Sequence, residues 1–229
     1  MKLYKYRADI YRDLLTLVNN QIYAPTVQNL NDPAETIVND SKMYEVFNLI
    51  EKSGLSINIA KDNYAKIIAQ ARTELGIFSL SKTVINELLW AYYTNGHKGF
   101  CIEYDYEQLQ KSLSNGHLHS VLNVQYKDDT PEFSMNSITN ISENPVQFLK
   151  CLIATKSMAW EREEEIRITL YSSGLFGISP ESVTGIYLGL RMSKSDKELI
   201  KNSLKGRNIQ YYQMKLKPNS YLLEAELIK

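Results

Sequence analysis

The run Trp160-Glu161-Arg162-Glu163-Glu164-Glu165-Ile166-Arg167 holds the densest set of ionisable side chains in this 229-residue sequence. A strand through it places Glu163, Glu165 and Arg167 on one face, because side chains alternate with period two. Two carboxylates at that spacing raise each other's pKa, and an adjacent guanidinium lowers it again. Such runs are most often solvated edges. Here a large aromatic precedes the run and the apolar Ile166–Leu170 stretch follows it, which favours a partly buried site. Arg7, at the end of a first strand, reads equally as a surface arginine or as an anion anchor.

The remaining candidates are weaker. His117 and His119 lie in a Ser/Asn/Gly loop, and an HxH spacing holds a metal only with further ligands. His97 follows the Asn95-Gly96 turn, where contacting a ligand and capping the turn are equally plausible. Cys101 and Cys151 stand apart in apolar runs and read as reduced core thiols. There is no GxSxG, no Walker A sequence and no GxGxxG after a strand, so the common hydrolase, P-loop and Rossmann readings lack support. No metal site is expected. A metal-dependent nuclease built on Asp32, Asp105, Glu163 and Glu165 stays a minor alternative, with Arg167 where a lysine would help.

The elements that must position these groups mix strands and helices without strict βαβ alternation, which gives the α+β class. Strands are expected at 3–7, 21–24, 76–81, 99–104, 121–126, 166–171, 186–190, 209–214 and 221–228. Helices are expected at 10–18, 43–50, 61–74, 84–93, 146–158 and 192–204. In the first helix Ile10, Leu14, Leu15 and Val18 make the apolar stripe. Trp90 and Tyr93, on an apolar helix, read first as packing residues. The stretch 127–145 is dense in Asp, Asn, Ser and Pro and reads as a loop. No linker or repeat divides the chain, so residues 1–229 are read as one domain.

Lys+Arg and Asp+Glu balance at 26 each, which excludes a generally basic nucleic-acid binder but leaves room for a local basic groove. An apolar fraction of 44% with 10% aromatics excludes a disordered chain. The charged N-terminal segment does not read as a signal peptide, and no apolar run is long enough to span a membrane. A cytoplasmic location is expected.

Leu3-Tyr4-Lys5-Tyr6-Arg7, Asn31-Asp32-Pro33, Phe78-Ser79, Trp90-x-x-Tyr93, His97-x-Gly99-Phe100 and Trp160-x-x-Glu163-x-Glu165-x-Arg167 together resemble a bacterial family known as domain of unknown function 2971. Ala34 stands after Asn31-Asp32-Pro33 where that family more usually has an aromatic. The order of elements is also similar to the ADP-ribosyltransferase fold, a split mixed β-sheet with flanking helices. That likeness is to its Arg–Ser–Glu branch, with Ser79-Leu80-Ser81 for the usual Ser-Thr-Ser. It implies NAD as co-substrate, with Glu165 and Glu163 catalytic. Arg7, Ser79, Tyr93 and Tyr4 would be cofactor-binding, and either Lys5 or Arg7 the anion anchor. It further implies a macromolecular acceptor, protein or nucleic acid, in a toxin or phage-defence setting with an antitoxin or regulatory partner. The alternative within the same fold is an inactive binding module.

Overall fold

The computed structural model describes residues 1–54, 56, 58–132 and 151–228. β1 (Lys2–Arg7) leads through α1 (Ile10–Val18) to β2 (Gln21–Ala24). Two helices follow, α2 (Ser41–Lys52) and α3 (Asn58–Thr73), then β3 (Gly76–Ser81), α4 (Glu87–Tyr93), β4 (Phe100–Asp105) and α5 (Tyr106–Leu113). The next strands are β5 (Leu118–Asn123), β6 (Gln125–Lys127), β7 (Thr155–Ser157), β8 (Glu165–Leu170), β9 (Gly174–Gly177) and β10 (Val183–Leu188). A further helix, α6 (Lys194–Ser203), precedes β11 (Gln210–Leu216) and β12 (Leu223–Ile228). Eight strands form one mixed sheet in the order β12-β11-β10-β4-β1-β3-β8-β5, which is an α+β architecture.

Local chemistry explains the starts of the helices. Asp9 accepts from the Arg12 amide at 3.0 Å, Asn86 accepts from Leu88 and Leu89, and Asp105 accepts from Gln108. Each satisfies amides that a helix leaves unpaired at its N-terminus. Asn86 also moves the start of α4 to Glu87, three residues later than the apolar pattern suggested. Of the expected helix at 146–158, residues 146–150 lie outside the described residues and 151–153 are helical. Its described end differs, because 155–157 form β7 and Met158–Glu163 a 3-10 turn.

The sheet divides two apolar layers. Leu3 packs on one face with Leu14, Leu17, Phe78, Ile102 and Ile168, while Tyr6 packs on the other with Trp90, Cys101 and Met214. In α1 the buried residues are Asp13, Leu14 and Leu17, and Leu15 is 62% exposed. The helix is rotated from the expected stripe because Asp13 turns inward to meet Arg7 and Arg12.

One irregularity organises everything that follows. β1 pairs with β4 residue for residue from Lys2↔Asp105 to Arg7↔Phe100, and β3 pairs with β8 from Gly76↔Leu170 to Ser81↔Glu165. Between β1 and β3 there is a single registered pair, Tyr4↔Ser81. The missing ladder is replaced from elsewhere: the Ile77 amide donates to Pro25 after β2, and the Lys5 ammonium donates to the Ser79 carbonyl at 2.7 Å. The sheet is therefore split, and the segment α1-β2 with its following loop wedges into the split.

Gly99 holds the far end of β1 in place. A Cβ there would stand 2.0 Å from the Arg7 carbonyl oxygen, an impossible contact with backbone. Replacing Gly99 with Ala should push the end of β1 from β4 and cost about 1–3 kcal/mol, read from urea denaturation. An unchanged midpoint would mean that the Arg7 end of β1 is free to move.

Candidate active site

The split opens into a cavity of about 750 Å³. Its β1 wall carries Tyr4, Lys5, Tyr6 and Arg7, with Arg12 and Asp13 added from α1. The opposite wall carries Ser79 and Ser81 of β3, Glu165 and Arg167 of β8, and Glu163 and Lys156 just before β8. Tyr92 and Tyr93 of α4 complete it, as do Asn29, Asn31 and Glu35 of the loop after β2. The fold thus brings the six site residues that the ADP-ribosyltransferase likeness implies, Tyr4, Arg7, Ser79, Tyr93, Glu163 and Glu165, to one cavity.

The centre of the second wall is a buried ion network. Arg167, 1% exposed, uses all five N–H donors. Its Nε and Nη2 donate to Glu165 at 2.8 and 3.1 Å, its Nη1 and Nη2 to Glu35 at 2.8 and 2.6 Å, and its Nη1 also to the Ile153 carbonyl at 2.7 Å. Lys156 donates to Glu163 at 2.6 Å and lies 3.5 Å from Glu165 and 3.8 Å from Glu35. Its ammonium also sits 4.7 Å from the centre of the Trp160 ring, a cation–π contact. The other Glu163 oxygen accepts from the Tyr93 hydroxyl at 2.6 Å.

These contacts set the titration. Burial alone would raise the Glu165 carboxyl, but the Arg167 charge and hydrogen bonds, helped by Lys156 and the Ser79 hydroxyl, bring it down to about 2. Glu165 is an anion at neutral pH. Burial and then the bond to Glu163 push the Tyr93 hydroxyl above its usual range, so Tyr93 is a donor at neutral pH. Three carboxylates (Glu35, Glu163, Glu165) face two cations (Lys156, Arg167), so this buried set carries one negative charge in excess.

On the β1 wall the cations are less well matched. Arg7 lies 3.8 Å from Asp13, which Arg12 holds at 3.1 Å, and the buried Arg7 Nε has no partner. Lys5 meets the Ser79 carbonyl and stands 5.2 Å over the Phe78 ring. Burial and the nearby Arg7 lower its amine to about 7.

The expected grouping of Glu163, Glu165 and Arg167 holds for the last two, which share a face of β8 and bond directly. Glu163 belongs to the 3-10 turn before the strand, and Glu164, with φ 46°, reverses the chain between them. Lys156 rather than strand alternation brings Glu163 to Glu165. Two network members went unseen in the sequence, Glu35 and Lys156. A local signal for Glu35 exists in Asn31-Asp32-Pro33: Asp32 accepts from the Ala34 amide at 2.9 Å and its carbonyl from the Glu35 amide at 3.2 Å, a turn that aims Glu35 inward. No local signal marks Lys156.

Other candidates lie apart. Asp105 caps α5 and faces Lys2, and neither it nor Asp32 lines the cavity. His119 contacts Thr169 and Tyr171, and His117 packs its edge on Phe176. His97 stacks on Trp90, while its backbone accepts from the Arg191 amide. Among the described residues no His, Cys, Asp or Glu cluster is arranged to hold a metal ion. No helix is long and apolar enough to cross a membrane, again among the described residues.

Arg167→Met should cost about 3–5 kcal/mol at neutral pH, because it leaves Glu35 and Glu165 buried and half-paired. The sign of the pH effect is specific. In the native chain Glu165 contributes stability above its ordinary value near 4.5, and this is lost as pH falls toward about 2. Without Arg167 burial is no longer outweighed at Glu165, whose carboxyl then binds a proton more readily than in the unfolded chain, so the penalty shrinks below neutrality. Urea melts of both proteins at about pH 7 and 5 check this. A penalty that grows on acidification contradicts the network.

No curated protein and no solved structure matches the chain. Residues 89–168 run from α4 to β8, and with them Trp90, Tyr93, His97, Gly99, Phe100 and the Trp160–Arg167 run. This stretch matches the model of the family described as protein of unknown function (DUF2971).

Proposed function

We propose that the cavity binds NAD and that the protein is an ADP-ribosyltransferase-like enzyme that modifies a macromolecular acceptor. One observation carries the reading. The cavity sets an excess buried carboxylate on the β3/β8 wall against poorly matched cations on the β1 wall. NAD has that polarity, a cationic nicotinamide riboside joined to an anionic pyrophosphate. The side-by-side order β1-β3-β8, which carries Arg7, Ser79 and Glu165 on neighbouring strands across a split, supports the same reading.

The chemistry assigned to these groups is bond exchange at the ribose C1′. As the bond to nicotinamide breaks, its electron pair leaves with the ring and positive charge develops on the sugar. Glu165, held ionised by Arg167, stabilises that charge without having to move a proton. Glu163 takes the proton of the acceptor as its nucleophile bonds to C1′. Tyr93 and Lys156 orient Glu163, and Ser79 positions the ribose. Arg7 offers the pyrophosphate its unpartnered Nε.

Labelled NAD incubated with the protein and a cell lysate should transfer label to one macromolecular fraction. Glu163→Gln should reduce transfer by about 100-fold or more, since general-base contributions are of that order. It should cost only about 1–3 kcal/mol of stability, because Gln still accepts from Tyr93. Glu165→Gln is the poorer probe, since it also loosens Arg167. The binding-module alternative is favoured by one fact, that both Glu165 oxygens are committed to Arg167. It forecasts NAD binding without loss of nicotinamide, and unlabelled fractions with intact NAD would decide for it.

A further inference from the structure

We propose that Lys5, rather than Arg7, is the principal contact for the ligand's phosphate charge, and that it takes up a proton as the ligand binds. This rests on the cavity being a nucleotide site, not on any turnover there. Every other cation lining the cavity already has a carboxylate: Arg7 and Arg12 share Asp13, Lys156 and Arg167 share Glu35 and Glu165, and Lys156 also holds Glu163. Lys5 has no ion pair among the described residues, and its one hydrogen bond is to the Ser79 carbonyl in the split. A neutral acceptor of that kind leaves ammonium donors free for a phosphate.

The groups that face Lys5 from the surrounding elements are few. Arg7 lies on its own strand, Asp13 comes from α1, Glu163 from the turn before β8, and Glu165 from β8. On β3 it meets the Ser79 carbonyl and the Phe78 ring. Glu163 and Glu165 are bound to Lys156 and Arg167, and Asp13 to Arg12, so their charges reach Lys5 already offset. With Arg7 as the close like charge and burial against it, the amine loses its proton near neutrality. A phosphate placed between Lys5 and Arg7 reverses that balance, because opposite charge at short range favours the ammonium. The Arg7 Nε, buried and unpartnered, gives the same phosphate a second donor.

The probe is ADP, which carries the phosphates and lacks the nicotinamide. Calorimetric titration at about pH 8, in two buffers of different ionisation enthalpy, counts the protons taken up on binding. The native protein should take up close to one proton per ADP, and its affinity should fall between about pH 7.5 and 9. Lys5→Arg should bind ADP with no uptake and a flat pH profile, since a guanidinium stays charged. Lys5→Met should bind about tenfold or more weakly at about pH 7.5, with melting curves confirming that both variants are folded. ADP binding with proton uptake but without NAD cleavage would sink the transferase reading and uphold Lys5. Equal affinity of Lys5→Met and the native protein, ADP binding without proton uptake, or no ADP binding would each overturn the assignment, whatever happens to NAD.

Discussion

Arg167 is the side chain on which the rest of the site depends. A guanidinium at 1% exposure survives only where every donor is met, because an unmet buried charge is far costlier than a lost surface contact. Meeting five donors requires three separate stretches of chain to converge: β8 through Glu165, the loop after β2 through Glu35, and the segment before β7 through Ile153. The ion network is thus a positional constraint before it is anything else. It fixes the loop that lines one side of the cavity and holds Glu165 ionised for whatever occupies it.

The split sheet is the second constraint, and it works together with the first. A full ladder between β1 and β3 would close the cavity and leave Lys5 and Ser79 with nothing to face. Instead the edge of β3 is satisfied piecemeal, by Pro25 on the Ile77 amide and by the Lys5 side chain on the Ser79 carbonyl. Filling backbone demand on β3 with a side chain and a crossing loop leaves open volume next to the sheet while pairing the Ile77 amide and the Ser79 carbonyl. Cavity and charge asymmetry therefore share one origin. The two half-sheets carry different signs of poorly matched charge and meet through one residue pair.

The α-helical elements serve this arrangement at the rim. Asn86 caps α4 and also donates to the Arg162 carbonyl, linking the helix that carries Tyr93 to the turn that carries Glu163. Tyr93 then closes that link through its hydroxyl. On the other side Asp13 draws α1 onto β1 by its charge, at the expense of the apolar stripe that helical spacing alone would have buried.

Much of this was legible in the residues themselves. Period-two alternation located β1 and β8, a continuous apolar run marked β4 as interior, and turn residues ended the helices, because these signals depend on neighbours a few positions away. The same local logic put Glu165 and Arg167 on one face. It misplaced Glu163, since the left-handed Glu164 breaks the alternation just where it was being counted. Glu35 and Lys156 escaped the periodicity for a different reason. They lie 132 and 11 residues from Arg167 along the chain, as the positions 35, 156 and 167 show, and no periodicity links them to it. The sequence by itself determined which residues could carry charge and which strands would hold them. Only the tertiary structure decided which charges are neutralised and which are left for a ligand, because that balance is struck by side chains that meet through space.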